Sequence, residues 1–360
     1  MALSCASDAG EALSVRLGYR FALLFTTLAV VSYARAAEYR ASSYVFGTVV
    51  EITVVDGDAT LAREAVGQVF REFDRMHREL HAWKAGELVV LNQAIASGKE
   101  NIRTTKEIAA LIRETQRLAA RSEGMFNPAI GKLVGLWSFH RDKPGGPPPD
   151  PEEIARIVRA NPRMSDLSVQ GDVVTSKNPA VQLDFGGYAK GYALDRGADL
   201  LRANGITNAL INIGGNITAL GDRAGRPWHV GVDSPRGRGF LATLNLKDGE
   251  AIGTSGDYRR YYEIDGKRYS HIIDPRTGYP VSGMQSVTVL VPRQAGAGAL
   301  SDAASKPIFI GGLGGWRNAA FRMGVSQAML VDSEGVIHVT RQLKARLLFS
   351  NPEIVGAVAK

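Results

Sequence analysis

Between Ala209 and Val291 the chain offers strand after strand with no helical stretch among them. Ala209–Ile213, Trp228–Val232, Leu241–Leu246, Tyr261–Ile264 and Ser286–Val291 are short apolar, β-branched or aromatic runs, parted by turn residues. Two more runs, Gln327–Val331 and Val336–Val339, follow a helical pattern around Trp316–Met323. Strands that come in runs, without strict β-α-β alternation, predict an α+β architecture rather than a doubly wound sheet. No self-similarity of solenoid length is visible.

The first part of the chain supplies helices. Leu61, Ala65, Val69, Phe73, Met76 and Leu80 recur at spacings of three and four, which predicts an amphipathic helix over 59–80. A second helix is expected from Thr104, with Glu107 three residues on as a capping box and Ile108, Leu111, Ile112 and Leu118 on one face. Pro151–Ala160 reads as a short helix, and another runs from about Lys190 to a left-handed stop at Gly205. Tyr44–Val55 reads as one strand containing a glycine. Residues 141–151 (RDKPGGPPPDP) sustain neither helix nor sheet and are expected as a surface loop inserted in one domain, 37–360.

Residues 1–36 are read apart from that domain. Arg16 and Arg20 precede the apolar run Phe21–Val31, and Ala34-Arg35-Ala36 supplies the small residues of a cleavage site. This order is that of a secretory signal peptide, and the apolar run is too short to span a bilayer. Export to the periplasm is expected; a retained anchor, giving inner-membrane association, and a misassigned start are the alternatives. The one cysteine, Cys5, lies within the leader, so the exported chain has no thiol nucleophile and no cysteine-ligated metal. The net charge of +7 suits phosphorylated ligands, but the basic residues are scattered and form no nucleic-acid patch. Oligomeric state is not legible.

Three polar clusters carry candidate chemistry. In Leu183–Ala193 (LDFGGYAKGYA), two glycines before a helix let backbone N–H groups approach a phosphate, with Lys190 as a charged neighbour; a tight strand-to-helix turn accounts for the glycines equally well. The second pairs Gly253–Tyr258 (GTSGDY) with Tyr269–Pro280 (YSHIIDPRTGYP). There His271 is a candidate proton carrier or a structural histidine. In Ser301–Lys306 (SDAASK), Asp302 is either a ligand for a hard divalent ion or a helix cap.

Taken in order with Phe46-Gly47-Thr48, Trp83, Glu87-Leu88, Leu91-Asn92 and Phe126-Asn127-Pro128 running to Leu136-Trp137, these segments resemble the ApbE family of FAD:protein FMN transferases along nearly the whole exported chain. SHIIDPRTGYPV is the most specific of them. The resemblance implies an ApbE-type, T-fold-like β-sheet core with packed helices. It implies FAD as substrate, contacted by Phe46, Trp83, Met125, Phe126, Asn127, Asp184, Lys190 and Ile273. It also implies magnesium held by the Asp302 carboxylate and the carbonyls of Gly187 and Ser305, with His271 and Asp302 tied to catalysis. The partner would be an acceptor flavoprotein of a periplasmic or membrane redox system, modified on threonine or serine with AMP released. The alternative is an FAD-binding accessory protein for a respiratory assembly, without transfer activity.

The chain departs from the family pattern in places. Lys306 stands where a threonine usually ligates the metal, and an ammonium, which has donors but no acceptor, cannot ligate a cation. Asn127 and Ala129 stand where many members have Asp and Thr.

Overall fold

The computed structural model describes residues 38–55, 58–141, 143–351 and the backbone of 355–359. The leader at 1–36 with Cys5, and the expected start of the exported chain at Ala37, lie outside the described residues. Among the described residues no helix is long and apolar enough to cross a membrane.

A nine-stranded sheet forms the centre. Its order in space is 39–45, 48–54, 209–213, 216–220, 251–256, 284–291, 328–332, 337–340 and 355–359. Neighbours are antiparallel except the last pair, which is parallel. Helices Ala59–Glu79, Ala189–Ala203 and Ala297–Met323 cover one face. Val50, Ile52, Val54, Ile211, Val287 and Val289 point into that core with Phe73, Leu194 and Phe309. The other face carries Ile217, Ile252, Leu290, Met329 and Val331, and packs on a small sheet of Trp228–Asp233, Phe240–Leu246 and Leu348–Phe349. This two-sided cover explains why every residue of Met284–Val291 is buried: alternate side chains serve different cores. The observed fold is α+β.

A third apolar cluster lies beside the second polar segment. Leu133, Trp137, Phe139, Ile154, Ile157, Tyr262 and Ile273 pack together, drawing in helices Gly131–Leu136 and Pro151–Ala160 and the hairpin of Tyr261–Ile264 with Lys267–Ser270. The Trp137 indole N–H donates to the Gly278 carbonyl at 2.8 Å, which fastens the Pro275–Tyr279 turn to this cluster.

Three readings of the sequence need correction. Tyr44–Val55 is not one strand: Phe46 (φ +56°) and Gly47 (φ +70°) form a two-residue turn, and the chain folds back in register from Val45 to Thr48. The cap of helix Lys106–Arg121 is Thr105, whose hydroxyl accepts the Ile108 N–H at 3.1 Å; the Thr104 hydroxyl is buried without a partner. Glu107 is therefore not a capping-box residue; it receives Arg75 and the Tyr192 hydroxyl. Gly253–Gly256 and Ser301–Lys306, read as polar clusters between elements, lie inside a central strand and inside the helix Ala297–Met323.

Candidate active site

Glycines bring these two elements and helix Ala189–Ala203 to one point. A β-carbon on Gly191 would stand 2.7 Å from the Gly298 carbonyl carbon and 2.7 Å from the Asp302 β-carbon. One on Gly253 would meet the backbone of Ser301 at 2.6 Å. Both contacts are far inside van der Waals range, so only glycine lets the helices and the strand touch backbone to backbone. The helices also cap each other. Asp195 accepts the N–H groups of Gly298 and Ala299 at 2.8 Å each, and Asp302 accepts the N–H of Gly191 at 3.0 Å. Each carboxylate thus faces the positive end of the opposite helix. Burial still pushes the Asp195 carboxyl up to about 6.

Asp302 is 1% exposed, and its other oxygen is held by the Lys306 ammonium one helical turn on. Lys306 also donates to the Asp302 backbone carbonyl at 2.8 Å. Burial pushes the Asp302 carboxyl up, but Lys306, Lys190 and the Gly191 N–H outweigh it and hold the group below the usual carboxylate range. Ser305 turns inward, donating to the Asp302 carbonyl at 2.7 Å and sharing a 2.7 Å hydrogen bond with Ser255 of the central strand.

This donor set does not fit the magnesium ion that the resemblance implies. One Asp302 oxygen is occupied by a backbone N–H and the other by an ammonium, which repels a dication at contact distance. Among the described residues no group of three or more His, Cys, Asp or Glu gathers elsewhere to compensate.

His271 stands at the end of the hairpin Tyr261–Ser270. Its Nδ1 lies 3.0 Å from the Arg260 carbonyl, whose oxygen only accepts, so Nδ1 carries the proton and the Nε2 lone pair is left for other work. Burial, with the positive charges of Lys190, Lys306 and Arg260, pushes the imidazole down to about 3. It is therefore neutral at pH 7. Lys190 and Lys306 act on Asp302 as well, so both lysines lie within electrostatic reach of His271 and Asp302. Gly187 lies beside Lys306: a side chain on it would meet the Lys306 Cε at 3.3 Å and the Phe126 ring at 3.9 Å.

A second group lies around Asp184. Its carboxylate accepts the Gly186 N–H at 2.8 Å and the Trp83 indole N–H at 3.3 Å. Trp83 stacks on His140 with ring centroids 4.5 Å apart, over the bare face of Gly135. The pair is a flat, half-buried aromatic surface suited to a planar ring system.

The remaining expected contacts are more dispersed. Phe46 packs on Phe73 and His77, and its turn reaches the site through Arg260, whose guanidinium lies beside Gly47. Met125 leans on the main core, while Ile273 is buried in the third cluster. The Asn127 amide is committed to backbone, donating to the Pro162 carbonyl at 2.9 Å and accepting the Ala129 N–H at 3.1 Å. Among the described residues no ring contact joins Phe46 to Trp83 or Phe126.

Sequence reasoning missed His140, Arg260, Gly191, Gly253 and Ser255. His140 follows an aromatic run and carries no motif. Arg260 acts through its carbonyl, which no residue type announces. Gly191 and Gly253 stood inside the quoted clusters without a role of their own, and they serve as places where helix and strand meet.

The profile of the ApbE family matches residues 46–330. An FAD:protein FMN transferase of Rhodobacter capsulatus is 40% identical over 343 residues, 95% of this chain and 65% of that protein's length. One from Treponema pallidum is 33% identical over 288 residues, covering 75% of this chain and 79% of its own. Among solved structures, the ApbE protein of Thermotoga maritima superposes with a TM-score of 0.77 at 29% identity, covering 86% of this chain and 99% of its own. The flavinyl transferase ApbE of Pseudomonas stutzeri superposes with a TM-score of 0.73 at 27% identity, covering 86% and 96%.

Proposed function

The chain belongs to the ApbE family, and from its site we infer that it works as an FAD:protein FMN transferase. In this reading it cleaves FAD, attaches the FMN half to a threonine or serine hydroxyl of a partner flavoprotein, and releases AMP. One observation carries it: the Lys306 stem runs along Gly187 beside Phe126, at the start of helix Ala189–Ala203, and Lys306 and Lys190 both act electrostatically on a neutral, tautomer-fixed His271.

A pyrophosphate is the ligand this grouping fits. Lys190 and Lys306 offset its charge, and the side-chain-free backbone of Gly187 leaves room for close approach. The stacked Trp83–His140 surface suits a ring system at one end of the molecule. The acceptor hydroxyl oxygen attacks the phosphorus on the FMN side. The bond from that phosphorus to the bridging oxygen breaks, and AMP leaves with the oxygen. The hydroxyl proton passes to His271 Nε2, which the Arg260 carbonyl keeps unprotonated and oriented. Free of ligand, the imidazole is a weak base because it is buried and because the Lys190 and Lys306 ammoniums stand near it. Bound pyrophosphate offsets those charges and raises its basicity, so proton acceptance is switched on by substrate.

The basic-apolar-small order at 16–36 supports export, which would put the acceptor in a periplasmic or membrane redox system. An N-terminus near Ala37 on protein from the periplasmic fraction of its host tests that part. For the activity, the protein is incubated with FAD and a flavoprotein acceptor domain, and the acceptor is weighed intact. The expected result is a mass gain of one FMN on a threonine or serine with stoichiometric AMP. FAD bound without any gain in acceptor mass would leave a flavin-binding accessory protein instead.

A further inference from the structure

We propose that Lys306 is a built-in cation that takes the place of a divalent metal at the pyrophosphate, so that this chain handles its flavin substrate without magnesium. The inference rests on the pyrophosphate reading above and adds to it the identity of the neutralising charge.

Position is the first argument. Lys306 follows Asp302 by one helical turn, and its ammonium binds both the Asp302 carboxylate and the Asp302 carbonyl, the latter at 2.8 Å. The lysine side chain is 15% exposed and the aspartate side chain 2%, so the lysine lies on the open side and the carboxylate beneath it. Any ion reaching Asp302 has to displace the ammonium. The second Asp302 oxygen accepts the Gly191 N–H, so both oxygens already carry a donor before any ion arrives.

Rigidity is the second. Pro307 directly follows Lys306 inside the helix and removes the N–H that would have bonded the Ala303 carbonyl, while Ser305 is tied to Ser255 and to the Asp302 carbonyl. The residues on both sides of Lys306 are thus held, and its stem runs along Gly187, 3.3 Å from where a side chain there would begin. The ammonium is delivered to the bare backbone where a phosphate fits. A lysine is a compact charge with three donors, and it can keep Asp302 while binding phosphate oxygen.

The test uses the whole chain and FAD alone, followed by flavin fluorescence in excess chelator and in millimolar magnesium, with bound manganese counted by electron paramagnetic resonance. The native chain should bind FAD with affinities that differ by less than about twofold between the two conditions, and take up no manganese. Lys306→Thr should take up manganese and bind FAD at least about tenfold more tightly with metal than in chelator, the scale of one charge-assisted contact. Lys306→Met, which keeps the bulk and has neither charge nor ligand, should bind FAD at least about tenfold more weakly in both conditions. A native chain that holds manganese, or whose FAD affinity collapses in chelator, overturns the proposal, as does a Lys306→Met chain that binds FAD like the native one in chelator. FAD binding that is metal-independent but yields no FMN transfer would count against the transferase reading alone, and absence of FAD binding against both.

Discussion

Replacing Gly191 with alanine should damage both stability and flavin binding, although alanine is the better helix former. Gly191 is buried in helix Ala189–Ala203, where propensity alone favours Gly→Ala by about 1 kcal/mol. The new methyl would lie 2.3 Å from the Gly298 carbonyl oxygen, and ordinary contact begins at 3.4 Å. The two helices must part by roughly 1.1 Å, an overpacking that costs about 2–3 kcal/mol because the obstacle is backbone. That shift also stretches the 3.0 Å bond from the Gly191 N–H to the Asp302 carboxylate, a charge-assisted contact worth about 1.5–3 kcal/mol. The net loss is about 3 kcal/mol. Gly67 is the matched control: it sits in helix Ala59–Glu79, where a methyl meets only the tip of Arg71 at 3.4 Å, so Gly67→Ala should gain up to about 1 kcal/mol. Urea denaturation of the two variants against the native chain, with FAD affinity measured on each, is the assay. If Gly191→Ala were as stable as the native chain, or if the two variants moved in the same direction, the glycine crossing would not be what holds Asp302 in place.

Two further outcomes are expected. Thr105→Ala should lose about 1 kcal/mol of stability through the missing cap, whereas Thr104→Val, which removes a buried hydroxyl without a partner, should be neutral or stabilising in the same melts. His271→Gln should lower FMN transfer by roughly a hundredfold while keeping FAD binding, since it removes a base and leaves the cations. Because the folded imidazole is depressed to about 3, native stability from this group is full above its unfolded value of 6.5 and is lost as pH falls toward 3. The stability difference between native and His271→Gln should therefore shrink or reverse on acidification. Comparing the two chains is necessary because Asp195, raised to about 6, contributes with the opposite sign: its share is lost as pH rises through 6.

Much of the fold was legible because it depends on periodicity. The apolar rows at 59–80 and the strands at 209–213 and 228–232 each need only a local pattern, and the structure has them within a residue or two. What failed was punctuation. Gly47 in a β-branched run signals a bulge or a turn with nearly the same residues, and only the pairing of Val45 with Thr48 decides for the turn. Thr104 and Thr105 are chemically equivalent caps one residue apart, and the deciding fact is that Ile102–Arg103 already pairs as a strand, with the Thr104 N–H donating to Asp172. Gly253–Gly256 looked like loop because Gly, Thr and Ser are turn residues. They are small there because a helix backbone presses on the strand.

For the candidate site, the sequence named residues but not their charge arrangement. Family resemblance pointed to Asp302, Lys190, His271 and Gly187, and Lys306 stood out as a departure, but sequence alone cannot say which of two partners a buried carboxylate takes. The fold answers this through placement. With Gly191 and Gly298 in contact, the first turn of one helix sits against Asp302, so one of its oxygens goes to a backbone donor. The helical spacing of four then aims Lys306 at the other oxygen, from the solvent side. Both Asp302 oxygens thus carry a donor in the folded chain, and the carboxylate holds a lysine in position. His271, the proposed proton acceptor, is tuned by burial and by the same lysine: Lys306 helps to keep it unprotonated. A change at position 306 therefore acts on substrate charge and on the proton acceptor together, and its effects on FAD affinity and on the pH profile of transfer should move as one.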